Sequence, residues 1–345
     1  MSDMKFGYCL PIFANPSAGL FRTPNYEQLD ARTTLDLGVH AEEIGFDSLW
    51  VADHLMLGKD EAIMEGWTTL SALGALTSRA RLGIIHQAHF FREPAITAKM
   101  TATLDQITGG RFFLFYCYGH QKREHRNYHL PYPDDPKLRA EEVLDGLDLI
   151  LKLWEAEEPL TAKFGEYAVT NALCTPGPVQ RPHPPIVFGE DNPVLLDACA
   201  RIGQGWNSVP VGMDELHRRL AMLKTACDNN GADFDAIEKS LELQMLIAPT
   251  EEGVRAKLTH MLDLAPNQRE IDPELRRFAN SERAKAPASL ADITVIGTPD
   301  QVKEQLQTYI DMGFSHFPLW FLDAPDRDGM DLFAREVAPH FRNAK

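Results

Sequence analysis

The 345-residue chain has no apolar run approaching the roughly 20 residues that a membrane-spanning helix needs. Its longest early run, over residues 6–14, contains Pro11 and follows a single lysine, which predicts a first strand and not a secretory signal. Cysteine is sparse and unpatterned. Cys9, Cys117, Cys174, Cys199 and Cys227 show no Cys-x-x-Cys spacing, so the odd, dispersed set predicts reduced thiols in a cytoplasmic protein, with no disulfide framework. Basic residues are also short: 34 Lys and Arg against 50 Asp and Glu leave a net charge of −16, which argues against a nucleic-acid or anionic-membrane partner. No Gly-x-Gly-x-x-Gly follows a strand-like run, and there is no P-loop, Gly-x-Ser-x-Gly or His-Glu-x-x-His. Twelve histidines are present, but no pair stands at i, i+4 on a clear helix, so no metal centre is expected.

What is present is a strict alternation. Hydrophobic residues make up 44% of the chain and charged residues 24%, enough for a sizeable core. Strands are predicted over 5–13, 45–54, 82–85, 111–117, 185–188, 205–209, 240–247 and 316–322, each followed by a segment with helical periodicity. Eight such repeats favour closure into a (β/α)8 TIM barrel over an open doubly wound sheet, with 1–345 as one domain. Residues 155–184 read as an irregular excursion carrying a small hairpin, and 293–296 as a short extra strand. Residues 266–289 are charged and proline-punctuated, and are expected to form an insertion lying as a lid over the site.

The second strand organises the rest. Leu49, Trp50, Val51 and Ala52 are continuously apolar, as in a parallel strand covered on both faces, and the chain then turns abruptly polar at Asp53-His54. Ligand-binding and catalytic groups of parallel α/β folds sit at such strand ends. A histidine there can move a proton near neutral pH, or simply hydrogen-bond a neighbouring loop.

Three stretches carry a resemblance. Gly45-Phe46-Asp47-Ser48-Leu49-Trp50-Val51-Ala52-Asp53-His54, then Pro94 through Gly109-Gly110-Arg111-Phe112, then Glu124-His125-Arg126-Asn127-Tyr128 are similar to the second strand, the third helix with the fourth strand, and the loop after it in bacterial luciferase-like monooxygenases. Gly205-Trp206-Asn207 and Ile296-Gly297-Thr298-Pro299-Asp300-Gln301-Val302 extend the likeness over nearly the whole chain.

The resemblance implies a barrel that binds reduced FMN, supplied by a separate flavin reductase, and uses oxygen to oxidise a small organic substrate. A deazaflavin-dependent oxidoreductase on the same barrel is the alternative, and a non-catalytic partner subunit keeping the fold is a third reading. It also implies a homo-oligomer, dimer or higher. By the same resemblance His54 is the catalytic proton carrier. His86 and Gln87 stand where the flavin ring packs, and Gly119 matches the last glycine of a Gly-Ala-Gly-Trp pattern. Cys117, Tyr118 and His120 depart from that pattern, which places His120 beside the cofactor and Tyr118, with Trp320, beside the substrate. The phosphate loop departs further. Where relatives carry glycine and serine, this chain has Gly189-Glu190-Asp191-Asn192-Pro193. Glu190 and Asp191 beside a dianion would repel it, unless Asp191 or Asn192 instead caps the following helix.

Overall fold

The computed structural model describes residues 4–15, 25–26, 28–189, 191–265, 269 and 271–342. Strand one (Lys5–Cys9) lies between strand two (Ser48–Val51) and strand eight (His316–Phe321), parallel to both. Strand three (Arg81–Ile84) adds to strand two. On the other side, strand seven (Glu238–Leu241) pairs with strand six (Gly205–Ser208), strand six with strand five (Ile186–Gly189), and strand five with strand four (Leu114–Cys117). A parallel bridge from Leu82 to Phe112 and the short pairing of Gln87–Ala88 with Tyr116–Cys117 join strands three and four and close the barrel. The expected eight-stranded architecture is therefore present. Among the described residues no helix is long and apolar enough to cross a membrane.

Two features are finer than the sequence pattern suggested. Strand seven, expected to run unbroken over 240–247, is interrupted at Glu242. Before the break it pairs with strand six and, at Ser240, with His316 of strand eight; after it, Leu243–Ile247 pairs with strand eight and with the extra strand Thr294–Gly297. The excursion after the helix Pro136–Glu155 does carry a hairpin, Leu160–Phe164 with Tyr167–Ala172. The described part of the insertion forms the helices Pro273–Ala279 and Ala288–Ala291, whose Leu275, Phe278 and Leu290 pack with Leu258 and Met261 of the helix Glu251–Leu264 into a satellite core.

The barrel interior is filled by large side chains set against glycines. Trp50 and Phe113 meet edge to face at 4.6 Å, and Gly7 and Gly83 leave them room. Below them Glu238 collects Lys5, Arg81 and His316, and His316 passes a bond at 2.6 Å to Ser48. Burial alone would raise the Glu238 carboxyl, but the hydrogen bond and charge of His316, with Arg81 and Lys5, hold it well below the usual carboxylate range. Outside the barrel, His89 bonds the Tyr116 and Tyr167 hydroxyls, both at 2.6 Å, and pins the hairpin to strand four.

Two outcomes test this packing. A Cβ on Gly83 would lie 2.2 Å from Phe113 Cζ, so Gly83→Ala should lower stability by about 1–3 kcal/mol in denaturant titration. Phe113→Leu in the same chain should restore part of it. Burial pushes the His89 imidazole down to about 3 from 6.5, so the unfolded chain binds this proton first as pH falls. The stability advantage over His89→Gln should therefore be full above pH 6.5 and shrink as pH drops from 6.5 towards 3.

Candidate active site

The parallel strands deliver Asp53-His54, Ile85-His86, Gly119 and Gly189 to the same end of the barrel. Asp53 is 2% exposed and anchors the turn after strand two. Its carboxylate accepts from the Ala88 amide at 2.9 Å and, bidentately, from Arg92 at 2.8 and 2.9 Å. Arg92 also reaches Glu65 at 2.8 Å. This arrangement ties strand two to the segment beyond strand three, and it sets the direction in which His54 leaves the barrel.

His54 Nδ1 lies 3.0 Å from Glu124 Oε1, and Glu124 Oε2 accepts from the Leu55 amide at 3.1 Å. Glu124 is 1% exposed, on the short helix Lys122–Asn127 that follows strand four. A carboxylate acceptor makes Nδ1 the protonated nitrogen, which leaves Nε2 as the basic one. The pair is a histidine oriented by a buried carboxylate, the arrangement that suits an imidazole to taking and returning a proton.

His54 lines a cavity of about 300 Å³ with His86, His120, Glu242, Trp320 and the apolar Phe13, Ile85 and Val209. The Ile85–His86 peptide is cis. The His86 ring meets Phe115 edge-on at 4.7 Å and His120 at 5.5 Å, while Trp320 packs against Phe13 at 5.7 Å. The Trp320 indole N–H donates to Glu242 at 2.6 Å. A larger cavity of about 540 Å³ lies beside the insertion, with Arg255, Phe278, Lys285 and Tyr309 in its wall. It contains no part of the His54–Glu124 pair, so the smaller cavity is the site with the chemistry.

The other expected site residues stand around this cavity and outside its lining. Gly119 has φ +83, and a Cβ there would lie 2.9 Å from that of Ala88, so the strand-four turn requires glycine. Tyr118 lies under the Arg139 guanidinium at 5.0 Å. Gln87 is buried in the short pairing with Tyr116. Gly189 ends strand five over Phe115, and Glu190 lies outside the described residues.

The Asp191 carboxylate is paired with Arg218, which also holds Glu215. The cap of the helix Pro193–Ile202 is Asn192, whose Oδ1 takes the Val194 and Leu195 amides at 2.9 and 3.4 Å. Pro193 has no amide to offer, so the helix start presents few free donors to an anion. Among the described residues, no cluster of His, Cys, Asp and Glu is placed to hold a metal ion.

Two functional carboxylates escaped the sequence reading. Glu124 stood within a recognised stretch, but nothing in its local pattern indicates contact with a residue 70 positions earlier. Glu242 carried a usable signal, a charge between Leu241 and Leu243 within an expected strand.

A family profile described as luciferase-like monooxygenase matches residues 4–316. The chain is 27% identical over 326 residues to an F420-dependent glucose-6-phosphate dehydrogenase of Microbacterium testaceum, covering 92% of this chain and 95% of that one. Its fold is similar to that of an F420-dependent secondary alcohol dehydrogenase in complex with an F420-acetone adduct, with a TM-score of 0.74, 21% identity, and coverage of 97% of this chain and 98% of that one. It is also similar to a long-chain alkane monooxygenase, with a TM-score of 0.77, 15% identity, and coverage of 99% and 92%.

If Asn192 acts as the helix cap, Asn192→Ala should cost about 1 kcal/mol in thermal or denaturant unfolding, and Asn192→Asp should cost much less. An unchanged melting temperature in the alanine variant would remove the capping role.

Proposed function

The chain belongs to the luciferase-like monooxygenase family, and we propose that it is a deazaflavin-dependent oxidoreductase that interconverts a small alcohol and its carbonyl compound. The observation that carries this reading is the His54–Glu124 pair at the mouth cavity. The names of curated relatives such as the M. testaceum dehydrogenase support it, and on that support the FMN-and-oxygen expectation yields to its alternative.

The donor set suits such a coenzyme. Ala52, Ile85 and Val209 offer apolar walls for a flat ring, with the imidazoles of His54 and His86 alongside. A volume of about 300 Å³ is at the small end of ligand sites and matches a ring with a small substrate, not a whole coenzyme. Such a coenzyme, held between these walls, would supply the hydride acceptor for an alcohol carbon. His54 Nε2 takes the hydroxyl proton as the C–O bond becomes a carbonyl, and returns it in the reverse direction. Glu124 holds Nδ1–H, keeps the ring from turning, and balances the charge of the imidazolium that forms. No separate flavin reductase is needed on this reading.

Titration of the purified protein should give a Kd for F420 at least tenfold below those for oxidised and reduced FMN. Tighter binding of reduced FMN, with oxygen uptake, would reinstate the oxygenase reading. His54→Ala and Glu124→Gln should each lower kcat by roughly 10²–10⁴-fold, with a much smaller change in coenzyme affinity. Unchanged turnover in either variant would return that residue to a structural role.

A further inference from the structure

The loop that carries Glu124 leaves strand four at Tyr118 and returns at the helix Pro136–Glu155, and both of its ends close on one guanidinium. Arg139 Cζ lies over the Tyr118 ring at 5.0 Å and over the Tyr132 ring at 4.4 Å. Its Nη1 donates to the Pro133 carbonyl at 2.8 Å, and its Nε is buried with no hydrogen-bond partner among the described residues. Two aromatic faces are therefore a main part of what this cation meets.

The helix itself gains nothing from the charge. Arg139 stands in the first turn, where a cation works against the macrodipole. Lys137 in the same turn is exposed and reaches Glu141 at 3.6 Å, whereas Arg139 is half-buried and turned into the loop. Local rules are broken in this way where a site is being shaped.

From Tyr132 the grip passes inward. Its hydroxyl donates to the Gly119 carbonyl at 3.4 Å, a long bond, and its ring lies 4.6 Å from that of His125. His125 is fully buried, rests against Phe91 at 4.6 Å and donates from Nδ1 to the Gln121 carbonyl at 3.1 Å. It follows Glu124 directly on the short helix Lys122–Asn127, so the seat of one sets the seat of the other. At the other end of the loop, Tyr118 lies 5.7 Å from the ring of His120 in the cavity wall.

We propose that Arg139 is a positioning residue: by clamping Tyr118 and Tyr132 together it seats the short helix so that Glu124 meets His54 and fixes its tautomer. Arg139 is outside the lining of the cavity and acts through Glu124. The kinetic part of its test rests on the oxidoreductase reading above; the spectroscopic part does not.

Arg139→Gln removes the charge over the rings and Arg139→Lys keeps it. With F420 and propan-2-ol, Arg139→Gln should lower kcat about tenfold and Arg139→Lys much less, with the Kd for F420 unchanged. In a Glu124→Gln background the same Arg139→Gln change should cost less than about twofold further, because the contact it serves has gone. An equal loss in both backgrounds would make Arg139 a plain stability residue and overturn the proposal. The second readout needs no coenzyme: NMR of the imidazole nitrogens at a pH where the ring is neutral, with the His54 signals assigned by their loss in His54→Ala. Wild type and Arg139→Lys should carry the proton on Nδ1, and Arg139→Gln should show a growing share on Nε2. A tautomer unmoved in Arg139→Gln would overturn the role of Arg139, whether or not turnover is seen. Failure of F420 to bind would overturn the coenzyme reading alone. Should Arg139→Gln not fold, Tyr132→Leu removes one face of the clamp and leaves the guanidinium in place, and the same two readouts decide.

Discussion

The hydrogen bond between His54 Nδ1 and Glu124 is the contact on which the mouth of this barrel depends. It spans from the end of strand two to the helix after strand four, so it exists only when strands three and four are joined. That junction is narrow. It consists of the Leu82–Phe112 bridge and the two-residue pairing at Gln87–Ala88, with the Asp53 carboxylate holding the Ala88 amide from the far side. Closure, the Asp53 anchor and the orientation of His54 are therefore one mechanical unit. Loosening any of them would release the imidazole from the single tautomer that a proton carrier needs.

The chain carries a large negative charge, yet its buried carboxylates are individually matched. Asp53 has Arg92, Glu124 has His54 and the Leu55 amide, Glu242 has the Trp320 indole, and Glu238 has Lys5, Arg81 and His316. A buried carboxylate stripped of its partner costs several kcal/mol, so each pairing constrains two elements at once. Glu238 does this at the amino end of the strands and fixes the barrel floor. The other three do it at the carboxyl end and fix the mouth. The same matching extends to Asp191, whose charge Arg218 offsets at the surface.

Much of this was legible in the chain. A continuous apolar run such as Leu49–Ala52 is buried on both faces, and eight strand-like segments alternating with amphipathic ones leave few architectures besides a closed barrel. His54 was legible as the polar residue ending such a run, and His86 and Trp320 by their places on neighbouring strands. The expected capping role in the Gly189–Pro193 loop was legible too, although the structure gives it to Asn192 and leaves Asp191 to an ion pair. For Tyr118, an aromatic at a strand end, only the tertiary structure shows its neighbours, the Arg139 guanidinium at 5.0 Å and the His120 ring at 5.7 Å.

By itself, the sequence determined the eight-fold alternation of strands and helices and their order, because hydrophobic periodicity is a local property and burial enforces it segment by segment. Only the tertiary structure decided which groups meet. Glu124 reaches His54 across 70 positions, and Glu242 meets Trp320 across 78. Neither partnership is written in any local pattern, since each follows from how far the barrel turns between strands. The break at Glu242 is of the same kind. It arises where strand seven, paired with strand eight on both sides of the break, leaves strand six for the extra strand Thr294–Gly297, and it turns a charge that sequence alone would place within a strand into the wall of the cavity.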